Sequence, residues 1–123
     1  RIRAIMQKIQ SHKDLNVWQK SMDLVEIIYQ LTETFPSKEQ FGLVAQMRRC
    51  AVSIPSNIAE GAGRKGNKEF SRFLYIAQGS LSELETQIEI CERLHYSNQL
   101  KDIKELIIYI RRMLSKLTRS IAS

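Results

Sequence analysis

Seven apolar residues near the C-terminus, Leu100, Ile103, Ile107, Ile110, Leu114, Leu117 and Ile121, follow one another at steps of three and four without a break. Such steps set them on one stripe of an α-helix. The unbroken alternation is the seam by which helices pack into bundles. A helix with this seam must bury it, so the rest of the chain has to supply helices with matching stripes. Leu106 and Met113, seven residues apart, add a second stripe available to a subunit interface.

Three further stripes are present. The first helix is expected to start at a capping Asn16, with Gln19 as reciprocal partner. Val17, Leu24, Ile28, Leu31 and Phe35 form its main stripe, and Trp18, Met22, Val25 and Tyr29 an adjacent one. A face that wide can pack on more than one neighbour, and Phe35-Pro36 ends the helix. Ser37 and Gln40 read as a second capping box, starting the next helix at about Lys38. Its stripe is Leu43, Met47, Cys50, Ile54, Ile58 and Gly61. Pro55 falls inside that pattern and predicts a kink rather than a stop, because the periodicity continues beyond it. Gly61 and Gly63 supply the helix end. The third helix starts near a capping Asn67 and carries Phe70, Phe73, Leu74, Ala77, Leu81, Leu84, Ile88 and Cys91. Gly79-Ser80 interrupts it, and mid-helix glycine costs roughly 1 kcal/mol relative to alanine. A close helix–helix approach at Gly79 is the expected reason. The helix ends near His95-Tyr96, and Ser97 caps the last one.

Short connections near Pro36, Gly66 and Tyr96 favour antiparallel neighbours. The expected fold is therefore all-α, an up-down-up-down four-helix bundle with a kinked second helix, over residues 15–123. Residues 1–14 are basic and mixed, and read as a flexible arm. Met6 can serve as the natural start, with Arg1 to Ile5 upstream of it.

The run SIPSNIAEGAGR from Ser53 to Arg64, followed by FLYIAQGSLSELE from Phe73 to Glu85, forms a long and specific pair of motifs. Together with GLVAQMRR before them and LNVWQKSMDLV near the start, they resemble the bacterial four-helix-bundle family of 23S rRNA intervening-sequence proteins. That family is similar to the accessory variability determinants of diversity-generating retroelements. The resemblance implies a ring-shaped homopentamer and no established catalytic activity. Two positions depart from the family pattern: Gln78, where a basic residue is common, and Cys50, where alanine is usual.

The 19 Lys and Arg against 13 Asp and Glu leave a net charge of +6. That excess suits a nucleic acid or an acidic protein partner. Cys50 and Cys91 both fall on apolar helix faces, as buried reduced thiols do, which points to the cytoplasm and no disulfide. No apolar run approaches the ~20 residues needed to span a bilayer, and no continuous apolar stretch near the N-terminus reads as a signal peptide.

Little of the sequence carries catalytic chemistry. Glu92 and His95 have the Glu-x-x-His spacing of di-iron bundles, but such a site needs two of these pairs and the chain has only His12 and His95. No metal or cofactor is expected. Neither cysteine has the adjacent His or second Cys that would mark a reactive thiol. The glycines around Arg64 follow a helix rather than a strand and lack phosphate-loop spacing. A polar stripe of Arg49, Ser53, Asn57, Glu60 and Arg64 is the one constellation on which an enzyme could be built. It has no activated nucleophile, and reads as a structural network with Glu83 and Glu85 as partners for its arginines.

The cations are clustered. Arg64, Lys65 and Lys68 form one group; Arg111, Arg112, Lys116 and Arg119 form another, in a segment without an acid from Ile108 onward. Arg112, Lys116 and Arg119 share a helix face. Rows of this kind are commonly solvated surface, but a ring would multiply each into a charged face. The expected role is a non-enzymatic homo-oligomeric scaffold or adaptor that attracts RNA or DNA backbones through these clusters. Without aromatic residues interleaved, sequence readout is not expected. The competing readings are an assembly or protein-partner adaptor without nucleic acid, and the enzyme on the polar stripe.

Overall fold

The computed structural model of the protein describes residues 11–122. Four helices make up most of that span: α1 (Asn16–Thr32), α2 (Leu43–Ala62), α3 (Asn67–Arg93) and α4 (Lys101–Ala122). Two short 3-10 turns, His12–Asp14 and Ser37–Glu39, precede α1 and α2, and the described residues include no strand. The part of the N-terminal arm before Ser11 lies outside the described residues. The turn at His12–Asp14 docks on α1 and α2, with the His12 ring edge-on to Trp18 at 5.0 Å.

The apolar stripes read from the sequence meet in one core. Leu24 and Ile28 of α1, Met47, Ile54 and Ile58 of α2, Leu74, Leu81, Leu84 and Ile88 of α3, and Ile107, Ile110 and Leu114 of α4 are fully buried. Each such side chain contributes about 1.5–3 kcal/mol relative to exposure. Contacts run α1–α2, α2–α3, α3–α4 and α4–α1, closing a four-helix bundle. Along α2 and α3, Gly61 faces Phe70 and Phe73 while Ser53 faces Ser80, so residue number falls on one as it rises on the other. Along α3 and α4, Glu92 meets Lys104 and Glu85 meets Arg111 in the same reversed order.

Of Gly61 and Gly79, it is Gly61 that lies against a neighbouring helix. A Cβ on Gly61 would stand 2.8 Å from Phe73 Cβ and 3.1 Å from Phe70 Cδ1. A Cβ on Gly79 would meet nothing within 4 Å, because that residue faces outward. The small residue that does meet α2 is its neighbour Ser80, whose carbonyl accepts the Cys50 thiol at 2.9 Å.

Helix ends also differ from the sequence reading. None of Asn16, Ser37 and Asn67 caps a helix through its side chain; the flanking residues are Leu15, Pro36 and Gly66. Gln19 instead donates to the Lys13 carbonyl, and Asn67 is displaced inward by Gly66, whose φ of 88° suits glycine. The Ser37 segment forms only a 3-10 turn, so α2 begins at Leu43 rather than near Lys38. There Glu39 Oε1 accepts the Leu43 N–H at 3.3 Å. The helix is continuous through Pro55, which is buried.

Leu106 and Met113 pack half-buried against the core rather than forming an outward stripe. Exposed apolar side chains lie elsewhere: Met22 and Tyr29 on α1, Val52 on α2, Ile76 and Ile90 on α3, and Phe41, which is 90% exposed. At the end of α3, His95 takes the left-handed conformation (φ 60°) that glycine usually supplies. Tyr96 N–H reaches Cys91 O and His95 N–H reaches Glu92 O, which satisfies the last carbonyls of the helix.

Candidate functional site

The polar stripe of α2 divides into two parts. At its centre, Ser53 Oγ lies 2.8 Å from Ser80 Oγ, and Asn57 Nδ2 donates to both Ser53 O and Ser53 Oγ at 2.8 and 2.9 Å. These half-buried groups satisfy one another between α2 and α3. At its end, Glu60 and Arg64 form an exposed pair at 3.0 Å, one helical turn apart. Glu85 does not partner an arginine of the stripe. It takes Arg111 of α4 in a two-pronged contact, 3.2 Å on each oxygen, with Ser82 Oγ accepting from the same guanidinium.

A shallow cleft beside the stripe is lined by Gln46, Arg49, Cys50, Ser53, Ser80 and Glu83. Its one thiol is that of Cys50. Burial, followed by the nearby Glu83 charge, pushes the Cys50 thiol up to about 12. Burial likewise pushes Cys91 up to about 11. A thiol so raised supplies almost no thiolate near neutrality. Both cysteines are free and buried. Among the described residues no three His, Cys, Asp or Glu side chains converge to hold a metal ion, and no helix is long and apolar enough to cross a membrane.

The cations sort differently from their order in the sequence. Arg111 turns inward to Glu85 and is half-buried. Arg112, Lys116 and Arg119 are exposed and form no ion pair among the described residues. At the α2–α3 turn, Lys65 and Lys68 are exposed beside Arg64. Arg72, which the sequence reading left out, belongs to this group: Arg64 and Arg72 both place their guanidinium groups over the Phe73 ring, at 5.3 and 4.5 Å. Glu60 and Glu69 pair with these two arginines and partly offset the group.

One further residue escaped the sequence. Tyr75 of α3 is 61% exposed and lines a small cleft with Gln78, Ser115, Thr118 and Arg119. Tyr75 and Arg119 are far apart in the chain, and only the pairing of α3 with α4 joins them. The reversed order that sets Glu92 by Lys104 and Glu85 by Arg111 brings them together when carried on along both helices.

The fold and this surface define a small, basic four-helix-bundle protein. The chain belongs to the family of 23S rRNA-intervening sequence proteins, whose profile it matches over residues 13–116. No curated protein matches it.

Proposed function

We propose that the protein is a non-enzymatic scaffold or adaptor of the cytoplasm that assembles into a homo-oligomer, a pentamer by the family resemblance, and binds RNA or DNA through basic surfaces. The observation that carries the nucleic-acid reading is the outward stripe Arg112, Lys116 and Arg119, exposed and free of ion pairs among the described residues while the adjacent Arg111 is neutralised by Glu85. An unneutralised row on a rigid helix suits phosphates. The Arg64, Lys65 and Lys68 turn is the secondary surface, because Glu60 and Glu69 already offset its arginines.

Assembly is supported by the exposed Met22, Tyr29, Val52, Ile76, Ile90 and Phe41. Together they leave apolar surface on more than one side of the bundle. Light scattering at micromolar concentration should give a particle several times the 14.3 kDa chain. Fluorescence anisotropy with labelled RNA and DNA across a salt series tests the binding. Affinity should fall with log–log slopes near 0.9 per duplex phosphate contact, or 0.7 per single-strand contact. A monomer overturns the assembly, and no binding at low salt overturns the nucleic-acid role.

A further inference from the structure

We propose that the cleft of Tyr75, Gln78, Ser115, Thr118 and Arg119 receives an unstacked nucleobase, so that the preferred ligand is single-stranded. This rests on the nucleic-acid reading above and narrows it. The cleft measures about 220 Å³ and opens to solvent between α3 and α4. Its parts match the needs of a flat heterocycle attached to a phosphate. Tyr75 offers an aromatic ring on a residue that the protein leaves largely exposed. Base stacking on such a ring is tolerant of sequence, because every base has a π-face.

The polar groups are suitably open. Gln78 and Ser115 are half-buried, and their side chains form no hydrogen bond among the described residues. The Gln78 amide carries both a donor and an acceptor, as a base edge does. Thr118 donates its hydroxyl to Leu114 O at 2.7 Å, so it closes the buried side of the cleft and competes for nothing. Arg119 is exposed at the rim, on the same outward stripe as Arg112 and Lys116. At 1.5 Å per residue, Arg112 to Arg119 covers roughly 10 Å. That is the length of about three stacked nucleotides at 3.4 Å each. A strand laid along α4 would set its phosphates on this row and turn a base toward α3.

A duplex fits this arrangement poorly, because each of its bases is already covered on both faces. The stripe alone would attract any backbone; the ring is what distinguishes a single strand.

The test uses fluorescence anisotropy with labelled single-stranded RNA and DNA homopolymers, and with an abasic strand of the same length, on the full chain at low salt. Tyr75→Ala should weaken binding to base-bearing strands about 5- to 100-fold. Tyr75→Phe, which keeps the ring, should bind close to the parent. On the abasic strand parent and Tyr75→Ala should bind alike and weakly. A loss in the RNA or the DNA series supports the site and names its sugar. Salt-sensitive binding that is equal for base-bearing and abasic strands, and indifferent to Tyr75→Ala, overturns the base site and leaves the basic-surface reading standing. No binding of any strand overturns both. Because Tyr75 is exposed, a thermal melt of Tyr75→Ala like that of the parent separates lost stacking from lost fold.

Discussion

Gly61 of α2 lies so close to Phe73 of α3 that even a methyl group at Gly61 would come within 2.8 Å of the Phe73 Cβ. The next atoms it would meet are the Phe70 ring at 3.1 Å and the Phe70 carbonyl at 3.3 Å. Backbone and Cβ atoms cannot swing aside as a side-chain tip can, so the two helices would have to part. Gly61→Ala should therefore destabilise the protein by about 1–3 kcal/mol. Gly79 has nothing within 4 Å of the same methyl. Gly79→Ala should instead stabilise α3 by roughly 0.5–1 kcal/mol through helix propensity. Thermal or urea melts of the two variants should shift in opposite directions, and equal shifts would refute the close packing at Gly61.

Tyr96 and Glu39 join the connection after α3 to the one after α1. The Tyr96 hydroxyl donates to Glu39 Oε2 at 2.6 Å, and its ring packs on the buried Phe35 at 5.3 Å. The bond from Tyr96, then that from the Leu43 N–H, holds the Glu39 carboxyl below its ordinary range; the same bond raises Tyr96. The folded state therefore favours ionised Glu39 and protonated Tyr96. The Glu39 contribution is present above its unfolded value near 4.5 and fades as pH falls through the lower folded value. The Tyr96 contribution is complete below its unfolded value near 10 and fades as pH rises through and beyond it. Tyr96→Phe should lower the melting temperature at neutral pH, because it removes the bond to Glu39. Melting temperatures from pH 3 to pH 11 should show the gap between parent and variant narrowing at both ends. A gap constant across that range would show that the bond does not stabilise the connection.

The stripes of α1 to α4 were legible because burial follows a helical period, and most of the core lies on the residues that the period selects; Val44 and Ala51 join it from beside the α2 stripe, while Leu31, Leu43 and Leu117 are only half-buried. The ends were not. Asn16, Ser37 and Asn67 have the chemistry of caps, yet Glu39 and Gly66 take over near the starts of α2 and α3, since local geometry decides which neighbour reaches a free N–H. Gly61 lies on the apolar stripe of α2 and Gly79 off that of α3, so the period separated them; what it could not show is that Phe70 and Phe73 enclose Gly61. The cations showed the same limit. Four stand between Ile108 and Ser123, but Arg111 is removed from the free set by Glu85, a residue on another helix. The cleft at Tyr75 was invisible for that reason too, as its two walls belong to α3 and α4.

The two cysteines should be inert in the folded protein. Cys50 donates its thiol hydrogen to Ser80 O, and both thiols are raised, to about 12 and about 11, chiefly by burial. At pH 8 iodoacetamide should label neither within the time that labels both in denaturant. Raised thiol values also mean that folding favours the protonated form, so stability should fall as pH climbs past the unfolded value near 9. Rapid native labelling of Cys50 would point to a reactive thiol in the α2–α3 cleft and revive the enzyme reading.

Arg111 and its neighbours on α4 should separate by measurement. Arg111 meets Glu85 with two contacts of 3.2 Å and also reaches Ser82. It is half-buried between α3 and α4, so its charge is already matched. Arg111→Gln should lower stability by about 0–1 kcal/mol, the usual range for a surface pair. Because Glu85 then stands unmatched, the variant also adds local repulsion toward phosphates, and binding weakens with little change in salt slope. Replacing Arg112, Lys116 and Arg119 together by glutamine acts the other way. Glutamine has similar helix propensity, so the melt should hardly move. Each lost phosphate contact removes released counterions, so the salt slope should flatten by roughly 0.7 per contact on a single strand. Melts and salt titrations of both variants give four numbers. If the triple variant keeps the parent slope while Arg111→Gln loses it, the phosphate-binding row has been assigned to the wrong face of α4.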